Sequence, residues 1–199
     1  MLKNPIPQVT NKLQYRAIGI INGKYTPHDI EQLNRGFLID DKGEKIETVV
    51  LGKALSILKK HIDLKKSYYW VVYPKNKNTQ NLHLQVAGIW DPYQLNDFPN
   101  NSSKTNFSKL LKELDLKDNY FSVRGELVFV NTQKKEIVIK IKSVSKLKKL
   151  KNKNFKLVIK GELSLELLNS FVSLDINRDG NSLQLIKYEV IEKNLSSNN

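Results

Sequence analysis

The chain has 199 residues, 40% of them apolar, which suffices for one large core or two small ones. It has no cysteine, which excludes disulfides, thiolate metal sites and cysteine catalysis. Its net charge is +13, and eleven Lys against one Glu between Lys134 and Lys160 supply +10 of it, a concentrated field of the kind that attracts polyanions.

The opening stretch, Met1 to Lys12, is polar and carries Pro5 and Pro7, with no hydrophobic segment of the secretory type. No apolar run of roughly 18 residues is present to cross a membrane, so the expectation is a soluble, cytoplasmic protein with no membrane partner. Arg16 to Lys24 reads as a first strand with apolar positions on both faces at Ile18-Gly-Ile-Ile, followed by an excursion through Thr26 to Leu33. Phe37 to Asp40 and Glu44 to Leu51 make a hairpin around Asp41-Lys-Gly43. Gly52 to Asp63 has helical period, with Ala54, Leu55, Leu58 and Ile62 on one face. Ser67 to Pro74 and Leu82 to Trp90 close this half as two further strands.

Asn96 to Asn106, with Pro99 and Asn100-Asn101-Ser102-Ser103, has linker composition. A short amphipathic helix follows, with Leu110, Leu111 and Leu114 on one side. The second half begins at Tyr120. Phe121 to Val130 is a strand with Phe121, Val123, Leu127 and Phe129 inward, and Ser122, Arg124, Glu126 and Val128 outward. Glu136 to Lys142 and Phe155 to Glu162 are strands too, with Lys140, Lys142, Lys156 and Lys160 outward. Between them runs the lysine-rich loop Lys146-Leu-Lys-Lys-Leu-Lys-Asn-Lys153. Ser164 is placed to cap a short helix over Ser164 to Ser170. Phe171 to Asn177 and Leu183 to Ile191 are the closing strands, joined by Asn177-Arg-Asp-Gly-Asn181, where Asp-Gly supplies the positive φ of a hairpin turn.

Three strands, a helix and two strands thus occur twice. The halves also echo in detail: Ala17-Ile-Gly-Ile-Ile beside Val123-Arg-Gly-Glu-Leu, and Asn81-Leu-His-Leu beside Ser182-Leu-Gln-Leu. This order resembles the OB-fold, a five-stranded barrel. The predicted fold is therefore mainly β with short helices, two OB-like barrels in tandem. Residues 13–92 form an N-terminal half, 93–119 a linker with a helix, and 120–193 a basic C-terminal half. Tyr15-Arg-Ala-Ile-Gly-Ile-Ile-Asn-Gly-Lys-Tyr, Trp70-Val-Val-Tyr-Pro and Phe121-Ser-Val-Arg-Gly-Glu further resemble a family of uncharacterised cyanobacterial proteins, a resemblance that implies no activity.

The resemblance to the OB-fold implies that the first three strands of the second half form its ligand surface. The candidate nucleic-acid-binding residues are Arg124, Lys140, Lys142, Lys156 and Lys160 on those strands, Lys146, Lys148, Lys149, Lys151 and Lys153 in the adjoining loop, and Tyr120 as a stacking ring. Tyr15, Tyr25, Tyr69 and Tyr73 are further stacking candidates in the first half. Phe121, Phe129 and Phe155 read as core, and Trp70 and Trp90 as packing residues. Lysine neutralises phosphate without reading sequence, so binding is expected to be salt-sensitive and weakly specific.

His28, His61 and His83 are scattered and lack ligand spacing, and no nucleophile elbow, Walker A loop or GxGxxG is present. Asp40-Asp41, and Asp175 with Asp179, sit at hairpins, where Asp serves turns. Gly19 and Gly23 lie in a strand and suit bulges better than a phosphate cradle. No catalytic residue, metal or cofactor is expected. The function expected is non-enzymatic binding of single-stranded RNA or DNA. The alternative is an interaction or assembly protein that docks its basic half on a ribonucleoprotein or acidic protein, with the N-terminal half holding a protein partner.

Overall fold

A computed structural model describes residues 4–76, 81–91, 109, 111–143 and 153–193. The chain divides into two compact units, one comprising Met1–Pro7, Gly19–Tyr73 and Leu84–Tyr120, the other Gln8–Ile18, Pro74–His83 and Phe121–Asn199.

The first barrel is built on β1 (Arg16–Pro27), β2 (Arg35–Ile39), β3 (Lys45–Val50), α1 (Gly52–His61), β4 (Tyr68–Asn76) and β5 (Leu82–Trp90), of which the β1 start to Ile18, the β4 end from Pro74 and the β5 start to His83 fall in the second unit. The strands close in the order β2–β3–β5–β4–β1, with β1 returning to β2. Closure requires one long strand to serve two neighbours. β1 pairs with β4 through Gly19–Gly23 and with β2 from Lys24 to Pro27. It therefore runs to Pro27, past Lys24, where the strand read from the sequence ends. The change of partner falls at Gly23, where a Cβ would lie 2.4 Å from the Ile39 carbonyl oxygen, so only glycine admits this approach.

Tyr25, Leu38, Ile46, Leu58, Trp70 and Leu84 fill the core. The Trp70 indole N–H is satisfied by the Gly23 carbonyl at 2.9 Å, and its ring packs against Tyr25 and Tyr68. Tyr25 is thus a core residue whose hydroxyl donates to the Leu33 carbonyl, and is not available for stacking. α1 lays Ala54 and Leu58 on the core and ends with Lys59, Lys60 and His61, cations that suit the negative end of its dipole. At the β2–β3 turn Asp40 accepts from the amides of Lys42 and Glu44 at 3.0 and 2.9 Å, which gives this carboxylate a turn-forming role.

The second unit repeats the plan with β6 (Tyr120–Asn131), β7 (Glu136–Ser143), β8 (Lys153–Lys160), a 3-10 turn (Leu165–Leu167), β9 (Phe171–Asp179) and β10 (Ser182–Glu192). The ring β6–β7–β8–β10–β9 closes through β6–β9. Gly125 sits where β6 takes up β7, and a Cβ there would lie 2.4 Å from the Lys140 carbonyl oxygen. Ser164 caps the 3-10 turn by accepting from the Glu166 amide. Phe121, Val123, Leu127, Ile137, Ile139, Leu157, Ile159, Phe171, Leu174 and Ile176 form the core.

Phe129 is not among them. A register shift between Leu127 and Phe129 places Phe129 opposite Val138 on the outer face, where it is 50% exposed. An extra residue in one strand reverses the alternation beyond it, which corrects the inward placement expected for Phe129. Of the short helix after the linker, residues 109 and 111–113 are described and are helical; Leu110 and most of 93–119 lie outside the described residues. Among the described residues no helix is long and apolar enough to cross a membrane.

Candidate nucleic-acid interface

The register of β6, β7 and β8 sets out the outer face of the second barrel in rows that cross the strands. One row is Glu126–Lys140–Lys156, the next is Phe129–Val138–Val158, and the third is Asn131–Glu136–Lys160. Lys142 extends the first row's side of the sheet, opposite Asn154. An apolar row headed by an exposed ring is therefore flanked on both sides by lysines. The sheet brings Lys140, Lys142, Lys156 and Lys160 onto one surface, as alternation predicts.

Their charges are only partly free. Lys140 and Lys142 both bond Glu126, at 2.9 and 2.7 Å, and Lys160 bonds Glu136 at 2.6 Å. Lys156 is exposed and forms no ion pair among the described residues. The Glu126 side chain is 13% exposed. Burial opposes its ionisation. Hydrogen bonds from Lys142, Tyr15 and Lys140, with the Lys142 charge, outweigh that and lower its pKa to about 2. The same contacts raise the Lys142 pKa, while burial, then the Glu126 bond, raises that of the Tyr15 hydroxyl.

Tyr15 belongs to the 8–18 segment, which covers one flank of this face. The Tyr15 hydroxyl donates to Glu126, the Lys142 ammonium lies 5.1 Å from its ring centroid, and the ring meets Phe171 edge-on at 5.0 Å. Arg16 donates to the Ser122 hydroxyl, and Lys12 pairs with Glu192. Arg124 donates to the carbonyls of Lys12 at 2.6 Å and Gln14 at 3.3 Å, and is 7% exposed. The outward, ligand-facing role expected for Arg124 is thereby corrected. Its side chain does leave the core face, but residues 12–14 lie over it and take its donors. Alternation assigns a face; it cannot see a distant segment that covers the face.

Tyr120, the first residue of β6, is half-buried and has partners within the fold. Lys146, Lys148, Lys149 and Lys151 lie outside the described residues, as does the side chain of Lys153 at the start of β8. Phe155 is half-buried, with the Lys75 ammonium 3.1 Å from its ring centroid, and burial lowers the Lys75 pKa. Tyr69 packs edge-on against Trp90, whereas Tyr73 is exposed. Sequence reasoning missed Phe129 as part of this surface, and it placed Glu126 outward without pairing it with Lys140 and Lys142. Counting back from the β6–β7 turn without the extra residue sets Leu127 opposite Lys140, so the pairing of Glu126 with Lys140 depends on the register shift.

Residues 17–97 match the family described as "PatR RNA-binding protein, N-terminal OB-fold domain", and residues 123–192 match "Cyanobacterial OB-fold-like RNA-binding domain, C-terminal". The chain carries two OB-fold domains in tandem. Both parts of the expected resemblance, to paired OB-folds and to cyanobacterial proteins, hold. The matched segments carry the two closed rings described above. No curated protein matches the chain.

Proposed function

We propose that the chain is a non-enzymatic RNA-binding protein that holds single-stranded RNA against the outer face of β6–β8, chiefly through its phosphates. Both matched domain families are RNA-binding OB-folds, which supports the ligand class. The observation that carries the choice of surface is the convergence of Lys140, Lys142, Lys156 and Lys160 from two neighbouring strands onto one face. Two of these lysines share one carboxylate, so the first row keeps a positive excess after pairing. The loop lysines Lys146, Lys148, Lys149 and Lys151, with Lys153 as the first residue of β8, add to that sign. Lysines meet phosphates as point charges, so the contact is electrostatic and largely indifferent to sequence.

The test is a titration of labelled single-stranded RNA and DNA across a salt series, using the full chain. Each phosphate contact contributes roughly 0.7 to the slope of log affinity against log salt for single strands. Changing Lys140, Lys156 and Lys160 to Gln should flatten that slope by about 2. Changing the loop lysines to Gln should flatten it further. No binding even at low salt would refute the reading and leave an acidic protein or a ribonucleoprotein as the partner of the basic half.

A further inference from the structure

Beside the β8 end of the apolar row lies an open cleft of about 290 Å³. Its lining comes from three places: Glu136, Val158 and Lys160 on the sheet face, Asn181, Ser182 and Leu183 at the β9–β10 turn, and Asn76 and Leu82 from the 74–83 segment. All of these belong to the second unit. We infer that this cleft takes one nucleobase of the bound strand and reads its hydrogen-bonding edge, which adds base selectivity to the phosphate binding proposed above and rests on that reading.

The lining has the chemistry a base requires. Val158, Leu82 and Leu183 are its apolar lining, which suits the face of an aromatic ring. Its walls present donors and acceptors in fixed positions. Glu136 and Lys160 are register partners joined at 2.6 Å, so an acceptor and a donor stand side by side. Asn76 Oδ1 accepts from the Val158 amide at 3.1 Å. That bond fixes the orientation of the amide and makes Nδ2, with its two hydrogens, the group available for reading. Ser182 donates its hydroxyl to the Asp179 carbonyl and accepts from Gln184 Nε2, so its geometry is also set. Preoriented polar groups discriminate because a mismatched base leaves one of them desolvated and unpaired. Lysines on an open sheet cannot supply this, since a phosphate is the same beneath every base.

The cleft also continues the sheet surface. Val158 ends the row that begins at exposed Phe129, two inter-strand spacings away, or roughly 10 Å. A strand crossing the face can therefore stack one base on Phe129 and turn a nearby one into the cleft.

The experiment uses the full chain and oligouridine 12-mers in which one internal position is U, A, C, G or abasic. The readout is the ratio of affinities between the tightest base and the abasic strand. In the wild type this ratio should reach about tenfold. Two near-isosteric variants test the lining. Asn76→Asp keeps the acceptor for the Val158 amide and removes both donors, while Glu136→Gln converts the acceptor wall. Each should bring the ratio below about twofold. The charge they change acts on every oligonucleotide alike and cancels in the ratio. A structural effect alone would lower the melting temperature and leave the ratio intact. RNA binding that does not depend on the varied base, or variants that discriminate like the wild type, would overturn the inference while leaving the phosphate-binding reading in place. Absence of binding to every strand would remove both.

Discussion

The two barrels close their strands in the same order, yet they finish their outer faces differently. Each has a phenylalanine in the middle row of that face. In the first barrel the row is Thr26–Phe37–Glu47, and the His28 ring lies 4.7 Å from the half-buried Phe37. Its flanking rows are Lys24–Ile39–Lys45 and Arg35–Val49, so cations and apolar residues are interspersed. In the second barrel Phe129 stands open, its row is apolar throughout, and the lysines keep to the rows on either side. The same ring of strands is thus a scaffold whose outer positions are decorated independently. The second barrel separates its apolar outer residues from its charges, an arrangement that suits the binding proposed above.

The shared part of the plan should be the most sensitive. Gly125→Ala drives a Cβ into the Lys140 carbonyl where the strand changes partner, and should cost about 3 kcal/mol in urea unfolding. Gly23→Ala, facing the Ile39 carbonyl at the same 2.4 Å, should cost a similar amount. If one is tolerated and the other is not, the two first strands do not do the same job.

The contacts peculiar to the second barrel come next. Arg124→Ala leaves the Lys12 and Gln14 carbonyls without their donor and should cost about 2 kcal/mol. Glu126→Gln should cost about 1.5 kcal/mol at neutral pH, by weakening the charged bonds from Lys140 and Lys142. It also carries a pH signature. The Glu126 pKa falls from 4.5 to about 2 on folding, so its contribution is complete above about 4.5 and disappears as the pH falls toward 2. The difference in melting temperature between wild type and Glu126→Gln should narrow across that window. A difference unchanged between pH 5 and pH 2 would remove Glu126 as the centre of the network.

The smallest effect on stability separates the two faces most clearly. Phe129→Ala, at an exposed position, should shift stability by less than about 0.5 kcal/mol. It should nevertheless weaken single-stranded RNA binding by about tenfold, the loss of one stacked base. Phe37→Ala, beneath His28, should leave RNA affinity within about twofold while costing more in stability, as measured by thermal melting alongside anisotropy titration.

The order of elements was legible because half-buried strands alternate, and because Asp40 and Ser164 have local duties that any short window reveals. What stayed hidden depends on information alternation does not carry. The phase at Phe129 is lost across a single extra residue. The fate of Arg124 depends on carbonyls more than a hundred positions earlier in the chain. The pairing of Lys140 and Lys142 with Glu126 needs the β6–β7 register, which two separately read strands leave open. The cleft needs three segments brought together by barrel closure, with Asn76 and Asn181 reading as ordinary turn residues until then.

One consequence concerns how the protein can be dissected. Residues 8–18 and 74–83 belong with the second barrel, although they precede its first strand by many positions. A recombinant fragment starting at residue 120 would expose the Arg124 guanidinium to solvent, strip Tyr15 from Glu126 and delete a wall of the cleft. Such a fragment would underreport both the stability and the base preference of the intact chain. A faithful minimal version needs the earlier segments supplied in trans, as synthetic peptides added to the truncated barrel.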